Sequence, residues 1–190
     1  LHGTAGADKG AFSAASTLSA DGGEIALQGR LDTRSEAYGI ELRCDSFPLN
    51  RFLPADSLGL LDLALQAGGS GFDPLRAQTR GNIRLQVDRA EFRGRDFGGV
   101  ELNANLEGGQ LSGRLSDRDE ALRLLLLVSG TLTERKQEVR LTGNVFDFDL
   151  AELGISPQKI GGSFALEAGA SASDAGSYTA RIALDSIEVR

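Results

Sequence analysis

The residues of this chain that could act as nucleophiles, general bases or metal ligands are few and scattered. Among its 190 residues are one cysteine, Cys44, and one histidine, His2, which lies at the start of the sequence. A single cysteine excludes an internal disulfide and any multi-cysteine metal site, and no second histidine is present to bind zinc with it. Cys44 continues the apolar alternation of its segment, which indicates a small buried side chain and not a reactive thiol.

Two acidic groups have the spacing needed to hold a hard cation or to act as paired carboxylates: Asp117, Asp119 and Glu120 form one, and Asp147 and Asp149 form the other. Both are interpreted as solvated turn and helix-cap residues, the usual roles of such short acidic segments. The glycines on either side of Ser70 lack the trailing Lys and Ser or Thr of a phosphate-binding loop. We therefore expect no catalytic activity, no metal and no cofactor.

Composition narrows the possible partners. The net charge is −7, and the few lysines form no basic cluster that could follow a phosphate backbone, so nucleic acid is not an expected partner. The longest apolar stretch, residues 124–128, is far shorter than the roughly 20 residues of a membrane-spanning helix. With 25 glycines, no tryptophan and 6% aromatic residues, the chain favours turns and aliphatic strands over a helical bundle. Since it opens with Leu1, we expect it to be a piece of a longer protein.

Apolar and polar residues alternate along most of the chain, as in strands with one apolar face. The alternating segments carry the apolar residues Ile25, Leu27 and Leu31; Tyr38, Ile40, Leu42 and Cys44; Ile83, Leu85 and Val87; Val100, Leu102, Ala104 and Leu106; Leu122, Leu124, Leu126 and Val128; Val139, Leu141 and Val145; Phe164 and Leu166; and Tyr178, Ala180, Ile182 and Leu184. Turn sequences separate them, for example at 21–23, 68–71, 107–109 and 116–119. The spacing predicts about eleven or twelve strands in meandering antiparallel order.

Helix signals are confined to residues 46–54 and 148–154, each long enough for one or two turns. In the first, Ser46 has the place of a helix cap and Pro48 lies near the first turn. The two segments also match each other in an internal repeat with an offset of about 101 residues, over approximately 29–74 and 130–175. The order of strand, helical turn, strand and glycine loop is shared, which predicts one repetitive domain over residues 1–190.

Two short helical turns cannot cover a dozen apolar strand faces. Such a sheet packs on another sheet as a sandwich, closes into a barrel, or curls into a half-pipe with an open apolar lining. Repetition favours the half-pipe, because a sheet that grows by similar units keeps one cross-section. Small side chains would leave room inside it, namely Ala64, Ala67, Gly143 and Ala168. The predicted lining consists of Ile83, Leu85, Val87, Val100, Leu102, Leu122, Leu124, Leu126, Val139 and Leu141.

The sequence also resembles the TamB branch of the AsmA-like envelope proteins over about residues 20–185. The resemblance rests on residues 45–54, with the motif Asp-Ser-Phe-Pro-Leu-Asn-Arg-Phe-Leu-Pro, on the apolar segment 60–67, on the glycine loop 68–74, and on residues 90–94 and 106–113. Neither the amino-terminal membrane anchor nor the terminal segment thought to meet an outer-membrane partner is recognisable in this sequence.

This resemblance implies an all-β protein, a long curved antiparallel sheet rolled into an open, taco-like groove with one or two very short helices. It implies a periplasmic segment of an inner-membrane-anchored protein in a Gram-negative bacterium, with a role in outer-membrane biogenesis. Such proteins are associated with phospholipid transport between the membranes. With an outer-membrane barrel partner they form a translocation and assembly module for secreted and outer-membrane proteins.

Three functions are compatible with these sequence features. The first is a groove that shields phospholipid acyl chains, and the second is a groove or sheet edge that binds unfolded β-protein clients. The third is a closed β-sandwich that serves as an interaction module, for example on carbohydrate. Exposed aromatic side chains would be expected in the third case, and the chain has no tryptophan and only two tyrosines, Tyr38 and Tyr178.

Overall fold

One antiparallel sheet of thirteen strands makes up nearly the whole molecule. The computed structural model describes residues 1–52, 58–173 and 178–189. The strands are β1 (His2–Asp8), β2 (Ala11–Ala20), β3 (Gly23–Asp32), β4 (Ala37–Pro48), β5 (Leu58–Ser70), β6 (Arg80–Phe92), β7 (Arg95–Phe97), β8 (Val100–Glu107), β9 (Gln110–Arg118), β10 (Leu122–Leu132), β11 (Lys136–Asp149), β12 (Gly161–Ser173) and β13 (Tyr178–Val189). Their order in the sheet is their order in the chain, except that the short β7 lies off this path and pairs with β6.

Several neighbouring strands are joined by tight two-residue turns. Both central residues of these turns have positive φ, in Lys9-Gly10, Asp21-Gly22, Arg93-Gly94 and Gly108-Gly109. This backbone matches the twist of the strands that it joins, and glycine adopts it without strain. The turn predicted at residues 68–71 is wrong in its limits, because Ser70 still pairs with Arg80 and the connection runs from 71 to 79.

The register places the apolar side chains of successive strands on one face. Residues directly opposite each other in an antiparallel pair point to the same side of the sheet. Following the pairs from β3 to β13 gives a continuous line of nine leucines with one glycine between them, which we name the leucine row: Leu27, Leu42, Leu65, Leu85, Leu102, Leu115, Leu126, Gly143, Leu166 and Leu184. Ten strands therefore contribute to one apolar strip.

The opposite face is polar over most of its area. Gln28, Glu41, Gln66, Arg84 and Asn103 lie opposite one another on successive strands, and the Arg84 Nε donates to Asn103 Oδ1 at 3.1 Å. Ala64 belongs to this face, paired with Arg43 and Gln86, so the prediction that it lines the interior is wrong. The physical reason is the alternation itself: Leu63 and Leu65 take the apolar side and turn the residue between them outward.

Among the described residues, no second layer covers the apolar face, and the sheet does not close on itself. The accessible surface is 12261 Å². A compact monomer of 20.0 kDa is expected to expose only about 8,700 Å². Strands β2 and β4 are separated by β3, yet Cα atoms of the two approach within 8 Å, whereas a flat sheet would hold them about 9.6 Å apart. The sheet is therefore open and curved, as predicted, and no sandwich forms.

Buried apolar side chains collect at one end of the sheet, which we name the capped end, where β4, β9 and β11 finish and β10 begins. Cys44, Phe47, Ala121 and Val145 are the buried hydrophobic residues of the described chain, and each lies near this end. Phe47 stacks on Phe52 with 5.0 Å between ring centroids. In the described part of the chain, the compact core is thus local to this end of the sheet.

Helix content is lower than predicted. The first segment forms a single 3₁₀ turn, Leu49–Arg51, and residues 53–57 lie outside the described residues. Ser46 does not cap this helix, because it still belongs to β4, where its N–H donates to the Asp62 carboxylate. The second segment forms a hydrogen-bonded turn in which the Leu153 N–H donates to the Asp149 carbonyl, and not a helix. In both places pairing with the next strand continues up to the connection. The residues predicted to begin a helix therefore belong to a strand instead.

Two irregularities in the sheet have the spacing of the sequence repeat. The pairing of β4 with β5 shifts between Cys44 and Phe47, and the pairing of β11 with β12 shifts between Val145 and Phe148. The matching positions are about 101 residues apart, and Cys44 and Val145 are both buried. Bulges of this kind bend and twist a sheet, so the same local bend occurs at both places. The extent of the repeat unit stays a prediction.

Candidate functional site: an open apolar groove

All ten residues predicted to line a groove lie on the apolar face and are half-buried. Leu85, Leu102 and Leu126 belong to the leucine row. The others occupy the rows beside it: Val87 pairs with Val100, and Leu124 pairs with Val145. Ile83, Leu122, Val139 and Leu141 complete the set.

Neighbouring side chains account for the partial burial of these residues. A side chain on an uncovered sheet is shielded only by the side chains around it on the same face. The polar residues that alternate with the lining in β6, Arg84 and Gln86, are exposed, whereas Ile83 and Leu85 are half-buried. We refer to this apolar face as the groove. Its shielding falls toward both edges of the sheet, where Leu27 is 39% exposed and Ile182 is 75% exposed.

The dimensions of the groove suit hydrocarbon. Ten strands at about 4.8 Å per strand give the leucine row an arc length of about 40 Å. The hydrocarbon core of a bilayer, with two opposed layers of acyl chains, is about 30 Å thick. The row is therefore longer than one acyl chain. Gly143 interrupts it where β10 and β11 approach closely, because a Cβ there would overlap the Leu125 carbonyl oxygen.

Asp117 is the one acidic residue on the groove face among the strand residues that the structure describes; the one basic residue there is Arg95 of the short β7, opposite Phe92. It lies opposite Leu124 and in line with Leu115 and Leu111 along β9. Asp117 accepts the Asp119 N–H, as expected of a turn residue, but the expectation that it is solvated and lies outside the strand is wrong, since it is half-buried and β9 continues through Arg118. Loss of hydration in this apolar setting raises the pKa of the carboxyl, and the nearby charge of Asp119 raises it further.

Two of the other acidic residues named from the sequence, Asp119 and Asp149, serve the connections between strands. Asp119 accepts the backbone N–H of Gly98 at 3.1 Å and of Ala121 at 2.8 Å. Asp149 accepts the N–H groups of Ala151 and Glu152. The role of Asp119 and Asp149 in turns is confirmed, whereas Asp147 lies within β11 opposite Arg123, so its interpretation as a turn residue is wrong. Within the described part of the chain, no three His, Cys, Asp or Glu side chains are grouped to hold a metal ion.

Residues 150–160, which we name the strap, lie along the capped end and meet the β6–β7 hairpin. Arg95 forms an ion pair with Glu152 and also donates to the backbone carbonyl of Ala151. Arg93 donates to the carbonyl of Gly154 at 3.2 Å. Since β8, β9 and β10 lie between β6 and β11 in the sheet, these contacts span the ends of three strands. The groove is therefore bounded along its capped end.

Cys44 is buried in the groove wall and is expected to react slowly. Its side chain is 2% exposed, and burial raises the pKa of the thiol, with further increases from the charges of Asp45 and Asp62. The thiolate is the reactive form, so both effects oppose modification. We expect Ellman's reagent at pH 8 to label the folded protein at least about a hundredfold more slowly than the urea-unfolded protein. Equal rates would show that the capped end opens freely.

Sequence reasoning missed two members of the site. Leu115 was not singled out, because Gly113 weakens the alternation of its strand, and Asp117 was assigned to the following turn. The signal for both was present: Leu111, Gly113, Leu115 and Asp117 share one parity, and continuing it by one step places the carboxylate on the apolar face.

No described helix is long and apolar enough to cross a membrane. Comparisons with protein-family models, with curated proteins and with solved structures found no match to this chain.

Proposed function

We propose that the groove shields the acyl chains of phospholipids, as a periplasmic segment of an inner-membrane-anchored protein that moves lipid between the two membranes. The observation that carries the proposal is the leucine row, a continuous apolar strip across ten strands with no covering layer in the described residues. Exposed apolar surface of this length on one side of a protein marks a binding site. The resemblance to the TamB branch supports the same ligand and an outer-membrane barrel as the partner.

The energetics favour hydrocarbon that can slide. Each buried methylene contributes about 0.8 kcal/mol, so an acyl chain gains substantially from a dry trough. Neighbouring positions along the row present the same side chain, for example Leu65, Leu85 and Leu102. A displacement from one strand to the next therefore exchanges equivalent contacts, and the barrier to movement is low. Binding alone produces transport in this scheme, and no catalytic group takes part.

An unfolded β-protein client is the second candidate, favoured by one observation. Among the described strands, β13 pairs on one side only, and its side chains Ile182 and Leu184 are 75% and 53% exposed. An extended peptide could add to such an edge by backbone hydrogen bonds, as in other complexes formed by strand addition.

Native mass spectrometry of the protein purified without detergent tests the proposal. We expect additional masses at defined stoichiometry that disappear on extraction with organic solvent and are identified as phospholipid in the extract. Masses that resist solvent but disappear on protease treatment would indicate a peptide client instead. A single unliganded mass, together with no uptake from phospholipid vesicles, would refute the groove as a lipid site.

A further inference from the structure

Asp117, the one carboxylate that the described strands place on the groove face, affects which part of the groove hydrocarbon can cover. Asp117 lies opposite Leu124 on β10, and on its other side β8 presents Val100 at the next position after the Glu101–Ser116 pair. An acyl chain that follows the groove across β8, β9 and β10 at this level passes directly over the carboxylate. Hydrocarbon would then displace the water on which the charge depends.

No cation faces this carboxylate from the described elements around it. Arg118 is adjacent in sequence but points to the opposite face, where it pairs with Glu101 at 3.7 Å. On β10, the neighbouring Arg123 also lies on the opposite face, paired in register with Asp147.

The remaining group near Asp117 is itself acidic. Asp119 donates its backbone N–H to Asp117 Oδ1 at 2.9 Å, while its own carboxylate is used by other backbone groups. Backbone hydrogen bonds from Asp119 and Arg118 compensate only part of the cost of covering an ionised carboxylate, and the negative charge of Asp119 adds to that cost. Protonation removes the negative charge of Asp117. Hydrocarbon can then cover this part of the groove at a much smaller desolvation cost.

We propose that Asp117 is a specificity-determining residue that lets uncharged hydrocarbon cover the β8–β10 part of the groove only when its carboxyl group is protonated. This inference rests on the proposed function. Binding of an acyl chain here takes up one proton, and an anionic head group at this level is disfavoured by the same charge. A lipid is therefore oriented with its phosphate away from the capped end.

Acyl affinity depends on pH because acyl binding is linked to protonation of Asp117. The pKa of Asp117 is already raised in the free protein by loss of hydration, and covering it with hydrocarbon raises it further. Acyl affinity therefore increases as the pH falls, by up to about tenfold per pH unit above the pKa of the free protein. In Asp117→Asn the affinity should not depend on this group.

The test is binding of an uncharged fluorescent monoacylglycerol to the full chain between pH 5 and pH 8. We expect wild-type affinity to rise on acidification, while Asp117→Asn and Asp117→Leu bind at least about tenfold more tightly than wild type at pH 8 and show flat profiles. Asp45→Asn is the matched control, since Asp45 is exposed and paired with Arg43 at 3.0 Å; it should keep the wild-type profile.

Two results would overturn the inference, and they are distinguishable. Parallel pH profiles for wild type and both Asp117 variants, with binding intact, would refute the role of Asp117 and leave the groove as a lipid site. Absence of binding in all proteins at every pH would refute the proposed function and the inference together.

Discussion

Replacing Leu126 with Glu is expected to abolish acyl-chain uptake by the groove. Leu126 lies in the middle of the leucine row, with Leu115 on one side and Gly143 on the other. A carboxylate there would interrupt the apolar strip, and hydrocarbon that covered it would have to desolvate the charge. The measurement is transfer of a fluorescent phospholipid from donor vesicles, and we expect a loss of at least about tenfold.

Leu127 provides a matched control on the same strand. It points to the opposite face, is 47% exposed and pairs with Arg114 and Thr142. Leu127→Glu introduces the same charge one residue away, and lipid transfer should stay near the wild-type rate. Far-UV circular dichroism establishes that both variants keep the sheet. A folded Leu126→Glu protein with normal transfer would contradict the groove as the path of the lipid.

Replacing Phe47 with Ala is expected to destabilise the fold strongly. Phe47 is 3% exposed, packs at the capped end and stacks on Phe52. Removing a buried Phe side chain lowers the free energy of unfolding by about 3–5 kcal/mol, through lost transfer energy and the cavity that remains. Because the buried apolar residues of the described chain are few and lie near this end, little else can compensate.

Phe52→Ala is the control for this effect. It removes the partner of the stacked pair, but Phe52 is 48% exposed, and a loss of about 1 kcal/mol or less is expected from the aromatic contact. Urea unfolding followed by circular dichroism gives both values. Equal effects of the two substitutions would mean that the capped end does not depend on the burial of Phe47.

Alternation in the sequence was sufficient to predict an all-β chain and the face on which each lining residue lies. Ile83, Leu85 and Val87 share a face in any register, because side chains alternate with a period of two along a strand. The same rule fails where a bulge intervenes, as between Cys44 and Phe47, since one extra residue reverses the parity. It also failed at Ala64, which the sequence argument chose for its small size and not for its parity.

The ends of the strands were harder to predict than their faces. Ser46 and Pro48 have the sequence of a helix start, yet β4 continues through both, because Phe47 and Pro48 pair with Leu61 and Leu60. Pairing with a neighbouring strand overrides a local capping preference that contributes only about 1 kcal/mol. Asp117 shows the same effect, since β9 extends past the residues that resembled a turn.

The sequence by itself determined the strand pattern, one apolar face per strand, and the absence of a cysteine or histidine set for catalysis. These depend only on residue type and spacing. Tertiary structure decided that the leucines of ten strands form one row, that no described residue covers the row, and that one carboxylate lies on its face. Register and curvature arise from the pairing of each strand with its neighbours in the sheet, which no single strand encodes.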